Sequence, residues 1–400
     1  MMVMELAFYY IALFVVSLST TWWVFRKVLK VARLKNIVDV PDARKLQRVP
    51  VPVMGGIAVF FGMLLAFAFA GVFNDVTEMF PIFCLMSIML YIGSIDDIIG
   101  MSPKSRLVIE ILLVLFLVYS TGSSVDDFHG LWGLHLIPQW IAVPLTVFAC
   151  VGIINAINMI DGINGLCSSY CIFVFTIFGA NFLSCGDMSD ASLAIISIGA
   201  LIPFLSHNVF GRKSRMYMGD GGSLLMGMIV SYFVIRTLRS EAEAPEGFGV
   251  IAFTLAVLAI PVFDTIRVMF ARIFRGTSPF SPDRTHLHHL LVDLHFSHLG
   301  ATSAELLANL LVVAGWYLSY RLGASVDVQL YVVICLGTLI TFAFYRFCRV
   351  QEKKSTKAYL IITRIGDRTH VGNTKWFAWM TRIQDRDSEV DIEDNNEEES

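Results

Sequence analysis

Charged side chains are scarce in this chain, 16% of its 400 residues, where soluble domains carry about a quarter. So little charge cannot cover a water-facing surface of that size, which excludes a wholly soluble protein. Other signatures are missing too. The seven cysteines are odd in number and lie almost all within apolar runs, so neither a disulfide framework nor a zinc spacing is present. Cys167 and Cys171, four apart, read as one packed helix face. No internal repeat of the kind that marks many secondary transporters is visible, and no stretch before residue 350 is polar enough for a soluble domain.

What the chain has instead is apolar runs. Hydrophobic residues make up 56% of it, gathered in eleven blocks of 17 to 23 residues at roughly 5–25, 51–71, 79–95, 106–120, 138–155, 163–183, 191–209, 221–237, 248–270, 303–319 and 328–348. That is the length a hydrocarbon core of about 30 Å demands of a helix. The expectation is an all-α polytopic membrane protein of about eleven transmembrane helices. Residues 1–350 form the transmembrane domain and 351–400 a cytoplasmic tail. The first block is not a signal peptide: no cationic region precedes it, and the basic "FRKVLKVARLK" that follows reads as a stop-transfer flank. In the tail, "AYLIITRI" suits a strand or an interfacial segment, and "KWFAWMTRI" suits the headgroup region. After about residue 385 the tail carries nine acids with few apolar residues, a composition that predicts disorder.

Lys and Arg collect on the cytoplasmic side of membrane proteins. With the N-terminus periplasmic and the C-terminus cytoplasmic, inner segments hold 27 of the 30 cations, and outer loops keep Arg236, Arg239 and Arg321. The reverse orientation inverts that ratio.

Against this background a few polar motifs stand out. "IMLYIGSIDDIIG" ends a span in Asp96 and Asp97, two like charges where a helix cap needs one, and translocon scales put an Asp at a helix centre near ~3 kcal/mol. Adjacent acids repel, raising one pKa or calling for a cation. "NAINMIDGINGL" forms an inner turn with Asn155, Asn158, Asp161 and Asn164, which also reads as a Gly-rich turn whose amides bond loose backbone. "MYMGDGGSLLMG" places Asp220 at the start of a span, as a cap or a metal ligand. "RIFRGTSPFSPDRTHLHHLL" gathers Arg272, Arg275, Arg284, His286, His288 and His289 into a cationic, donor-rich loop suited to phosphate. A zinc site there is disfavoured, because adjacent histidines diverge on a helix. All four motifs fall on the inner side of the predicted topology. Carboxylates opposite a phosphate-binding loop imply a divalent ion, and Mg²⁺ takes one or two carboxylates with substrate phosphates. Pro261 lies inside the ninth block and predicts a kink that opens a lateral groove.

These motifs, in this order over about residues 35 to 320, resemble the polyprenyl-phosphate N-acetylhexosamine-1-phosphate transferases. "SIDDIIG" is similar to that family's aspartate pair, "NAINMIDGINGL" to its Asn-x-x-Asn-x-x-Asp-Gly segment and "MGDGGSLLMG" to its metal-binding Gly-Asp-x-Gly-Ser. "SPFSPDRTHLHHLL" is closest to the WecA-type branch. One departure is Asn164, where bacterial relatives commonly carry a second aspartate; Asp161 is left as the acid of that segment. The resemblance implies a bacterial inner-membrane, multi-pass enzyme with its active site on the cytoplasmic face and Mg²⁺ or Mn²⁺ as cofactor. It implies UDP-GlcNAc and undecaprenyl phosphate as substrates, and GlcNAc-pyrophosphoryl-undecaprenol and UMP as products feeding O-antigen or a related polysaccharide. Asp96, Asp97 and Asp161 are then the catalytic residues, and Asp220 with Asn158 the metal ligands. Asn155, Arg272, Arg275, Arg284, His286, His288 and His289 bind substrate. No nucleic acid is expected, and a homodimer is left open. The alternatives are the same chemistry with another UDP-N-acetylhexosamine, an ion-coupled transporter using Asp96 and Asp97, and a non-catalytic scaffold.

Overall fold

The computed structural model describes residues 2–39, 49–239, 245–279 and 283–398, and side chains as far as Arg386. Phe280, Ser281 and Pro282 of the histidine-loop motif lie outside the described residues. Helix dominates. The chain runs α1 (Met2–Leu34), a two-residue antiparallel ladder of β1 (Val38–Asp39) and β2 (Val51–Pro52), then α2 (Gly55–Phe73), α3 (Phe80–Ile99) and α4 (Pro103–Thr121). It continues through α5 (Gln139–Met159), α6 (Leu166–Ser184), α7 (Met188–Phe210), α8 (Gly219–Leu238), α9 (Val250–Val257) and α10 (Ala259–Phe274). The remainder is α11 (Leu287–Asp293), α12 (His298–Arg321), α13 (Val326–Thr338), α14 (Tyr345–Lys354), α15 (Lys357–Asp367) and α16 (Lys375–Glu398).

Among the described residues nine helices are long and apolar enough to cross a membrane, or ten if the bent pair α9 and α10 counts as one span. The expectation from the apolar blocks was eleven. The remaining block is α4, a 19-residue helix carrying Lys104, Arg106 and Glu110 in its first half. Large apolar side chains such as Phe8, Leu65, Tyr119, Phe148 and Leu311 are exposed on these helices. Only hydrocarbon tolerates such a surface, while helices satisfy their own backbone.

The chain divides into two compact units. In the first (1–101, 163–225, 370–400), α1 packs on α2 and α7, and α7 on α6. Small residues set that approach: a Cβ on Gly62 would overlap Thr21 of α1, and one on Gly199 would crowd the Phe14 carbonyl. In the second (102–162, 226–369), α5 packs on α4 and α10, and α9, α12 and α13 pack on one another. Cys167 and Cys171 are fully buried, as their spacing predicts, and none of the seven cysteines, all among the described residues, is in a disulfide.

The ninth block bends by 75°, as Pro261 predicts, but the break lies at Leu258, three residues earlier. Proline has no N–H for the Val257 carbonyl and crowds it, so the chain gives way upstream. Buried Asn309 of α12 closes the wound. Its Oδ1 accepts from Ile260 N (2.9 Å), and its Nδ2 donates to the carbonyls of Ala256 (3.2 Å) and Val257 (3.0 Å). One side chain thus caps the start of α10 and the end of α9.

In the tail, "AYLIITRI" is helical, as α15, rather than a strand. The segment whose composition predicts disorder continues α16 to Glu398. That run has no Gly or Pro, the two residues that cost a helix interior most.

Candidate active site

In the first unit, α8 begins against the end of α3. A Cβ on Gly93 would overlap Gly221, and one on Gly56 would overlap Gly222, so α2 and α3 meet the start of α8 backbone to backbone. Gly219 sits at φ +76°, where a side chain would be strained and would strike Asp97. The glycines of "GDGGS" therefore exist to bring backbone N–H groups to a carboxylate. That carboxylate is Asp97. It accepts from Asp220 N at 2.9 Å and Gly221 N at 3.3 Å, capping the positive end of α8.

The cap comes from Asp97 on another helix, and Asp220 contributes its N–H to the cap while its carboxylate is a second acid within electrostatic reach of Asp97. Asp96 accepts from Met101 N at 2.6 Å, holding the turn after α3. Asp96, Asp97 and Asp220 are all partly exposed. Three carboxylates around one helix start attract a cation. Among the described residues no three His, Cys, Asp or Glu side chains form a metal cage. Magnesium asks for less, one or two carboxylates with substrate phosphates completing its shell, and Asp220 fits that demand.

A buried amide that the motifs did not reveal, Asn208 on α7, joins two of these loops. Its Oδ1 accepts from Gly165 N (2.7 Å), at the end of the Asp-Gly turn that contains the partly exposed Asn164, and its Nδ2 donates to Met216 O (3.0 Å), just before "GDGGS".

In the second unit, Asn155 is buried among α4 side chains. Its Nδ2 donates to Glu110 Oε2 (2.5 Å) and Val151 O (2.9 Å), while Arg106 reaches both Asn155 Oδ1 (3.4 Å) and Glu110 (3.5 Å). Its role here is to join α5 to α4. Asn158 and Asp161, both partly exposed, lie at the turn that ends α5, where Asp161 N donates to Asn158 O at 3.2 Å. The next residue, Gly162, rests on His288: a Cβ would fall 2.5 Å from its Nε2. The Asp-Gly turn and the histidine motif are thus neighbours.

His286 is aimed by Asp264, whose Oδ2 meets His286 Nδ1 at 2.8 Å and accepts from Leu287 N at 3.2 Å. The Asp264 Oδ1 takes two bonds from Arg267, at 2.6 and 3.2 Å. Arg267 also donates to Thr285 O (2.6 Å) and lies 3.7 Å from the Tyr345 ring centre. The three imidazoles form a cluster: His286 and His288 are stacked with ring centres 5.6 Å apart, and His289 is tilted 46° against His288 at 4.3 Å. Burial, then the neighbouring imidazoles, hold His288 far below the usual histidine range. Burial, His286 and Arg284 push His289 down to about 4.

The loop is therefore less cationic than its composition predicts, with three arginines facing the two carboxylates of Asp283 and Asp293. His288 and His289 are neutral at physiological pH, and the arginines have internal partners. Arg272 binds Asp283 (2.9 Å) and the Pro279 carbonyl (2.7 Å), Arg275 meets the same carboxylate at 3.3 Å, and Arg284 faces Asp293 at 3.7 Å. Although burial opposes it, hydrogen bonds from Arg272 and Thr285 bring Asp283 down to about 2. Arg272 clamps the loop; Arg275 and Arg284 are half exposed.

Glu110, Asp264, Arg267 and Glu305 were missed as motifs, yet each is an ionisable residue inside an apolar block, itself a signal. Glu305, on α12, is buried and lies within electrostatic reach of Asp264 and Arg267.

Residues 79–238 match the family model for glycosyl transferase family 4. The chain is 30% identical, over 88% of its length and 93% of the relative's, to the undecaprenyl-phosphate alpha-N-acetylglucosaminyl 1-phosphate transferase of Escherichia coli strain K12. It is 30% identical to the Yersinia pestis protein of the same name, over 80% of this chain and 86% of that one. A Bacillus subtilis protein named a probable undecaprenyl-phosphate N-acetylglucosaminyl 1-phosphate transferase is 32% identical over 71% of this chain and 78% of its own.

Proposed function

This chain belongs to glycosyl transferase family 4, and we propose that it moves GlcNAc 1-phosphate from UDP-GlcNAc to undecaprenyl phosphate, releasing UMP. At the coarser level it is a multi-pass membrane polyprenyl-phosphate hexosamine-1-phosphate transferase, using a nucleotide-sugar donor and a polyprenyl-phosphate acceptor. Its proposed place is the bacterial inner membrane, acting from the cytoplasmic face, with the product feeding O-antigen or a related polysaccharide.

The observation that carries the reading is the carboxylate group at the start of α8, where Asp97 holds the N–H groups of Asp220 and Gly221. In the proposed reaction an oxygen of the lipid phosphate attacks the β-phosphorus of UDP-GlcNAc, and the bond from that phosphorus to the UMP oxygen breaks. Asp96 or Asp97 keeps the lipid phosphate deprotonated and in place. Asp220 is the proposed carboxylate ligand of Mg²⁺, with Asn158 as a further ligand. When bound, the ion offsets charge on the diphosphate and the departing UMP. In the second unit, the imidazoles and the exposed donors of Arg275 and Arg284 hold diphosphate and sugar oxygens, and Asp161 supplies the acid of its turn. No covalent enzyme intermediate is needed, because a phosphate oxygen is itself a nucleophile.

The test uses purified protein with undecaprenyl phosphate and a panel of radiolabelled UDP-N-acetylhexosamines. UMP release and a labelled pyrophosphoryl lipid, strongest with UDP-GlcNAc, are expected. Equal or greater turnover with another donor sinks the assigned sugar, and no UMP with any donor sinks the reaction.

A further inference from the structure

Helix α16 lies on the end of a span. The ring of Phe210, last residue of the span α7, sits 5.3 Å from both the Trp376 and Phe377 rings. Gln384 Nε2 donates to Ser206 Oγ at 2.6 Å. The firmest contact is Asp385. Its carboxylate accepts the N–H groups of Arg212 (3.2 Å), Lys213 (3.1 Å) and Ser214 (2.9 Å), and the Ser214 hydroxyl at 2.9 Å. Consecutive backbone N–H groups of this kind form an anion nest, and α16 fills it with its own carboxylate. One face of the helix is thereby held where a span leaves the hydrocarbon.

The opposite face has a different chemistry. Trp376, Trp379 and Ile383, at helical spacings of three and four, are exposed, as are Lys375, Arg382 and Arg386. At 100° per residue these six fall within one stripe of roughly 120°. Asp385, the single acid between residues 375 and 386, is turned into the nest, so the stripe shows three cations and no anion. Tryptophan favours the level where acyl chains meet headgroups, and cations beside an apolar stripe suit an anionic lipid surface.

We infer that the free face of α16 between Lys375 and Arg386 is a docking surface for anionic phospholipid headgroups, lying in the plane of the membrane with Asp385 as its seat. It calls on no residue assigned to the transfer reaction, so the two stand or fall separately. A soluble partner or a second copy of the chain would also cover the tryptophans. The charge of the stripe and its place at the end of α7 favour the lipid.

The test places an environment-sensitive fluorophore on Ile383→Cys in the full-length protein, with exposed Cys84, Cys185 and Cys335 replaced. The protein is reconstituted into nanodiscs of phosphatidylcholine alone or of phosphatidylcholine with phosphatidylglycerol. Blue-shifted emission, quenched by lipid spin-labelled near the headgroup and stronger with phosphatidylglycerol, is expected. Combining Lys375→Glu, Arg382→Glu and Arg386→Glu should abolish the phosphatidylglycerol dependence while UMP release continues. Water-like emission in both lipids overturns the inference. So does a shielded probe that no lipid quencher reaches, which identifies a protein occupant, or a lipid response unchanged by charge reversal.

Discussion

At the scale of single residues, two aspartates in contact do different work. Asp97 spends lone pairs on the N–H groups of Asp220 and Gly221, so its carboxylate orders the start of α8 as well as bordering the proposed site. Asp220 gives its N–H to that cap, and Asp220→Asn leaves that group intact. Folding should therefore stay within about 0.5 kcal/mol of wild type, the scale of a substitution that breaks no special feature. Turnover should fall steeply and the residue of activity should need more Mg²⁺, because a hard cation loses a charged ligand. A metal titration of UMP release decides it: an unchanged half-saturating Mg²⁺ with normal turnover removes Asp220 from the metal.

The histidine cluster makes a pH prediction at the same scale. His289 is displaced from 6.5 to about 4 in the folded protein, chiefly by burial, and burial also holds His288 well below the usual range. Between about pH 6.5 and 4 the unfolded chain binds protons that the folded one refuses, so stability rises with pH across that window and is lost as pH falls through it. Linkage sets the slope at no more than about 1.4 kcal/mol per pH unit for each proton. Thermal unfolding in detergent from pH 7.5 down to 4.5 should show the decline, and His289→Gln should flatten it. A variant curve parallel to wild type removes His289 as a source.

Among the elements, the broken span depends on a residue far away in sequence. Asn309→Ala would leave the Ile260 N–H and the Ala256 and Val257 carbonyls without that partner, and each buried polar group left unsatisfied costs about 1–3 kcal/mol. The melting temperature in detergent should drop clearly. Asn309→Asp keeps the acceptor and loses the donors, so it should fall between. A mild Asn309→Ala phenotype would show that the bend holds itself. α4 illustrates a second rule of this scale. Its charges disqualify it as an isolated span, yet Arg106 and Glu110 are used together on Asn155, so the charges that spoil its hydropathy build its packing.

For the whole molecule, the distribution of Lys and Arg predicts the N-terminus outside and the C-terminus inside. Cys185, exposed in the turn between α6 and α7, is a native probe on the predicted outer side. With the other accessible cysteines replaced, a membrane-impermeant thiol reagent should modify it in intact spheroplasts. A cysteine introduced at exposed Ser102 should react only after permeabilisation. The reverse pattern would invert the topology and put the proposed site away from the nucleotide sugar.

Hydrophobicity and motif order determine much of this protein without any structure. A bilayer sets span length through its thickness, and a carboxylate in an apolar run is costly enough to be noticed, so the helices, Asp96, Asp97 and Asp220 are legible one residue at a time. Pairing is not legible that way. That Asp97 caps α8, that Asp264 aims His286, that Asn309 mends a bend and that Asp283 pairs with both Arg272 and Arg275 all depend on partners brought together by packing. Charge shows the same limit: composition makes the histidine loop cationic, while burial and internal ion pairs offset part of that charge. A side chain's type is local information, but its protonation and its partner are set by the dielectric and the neighbours that only the tertiary fold supplies.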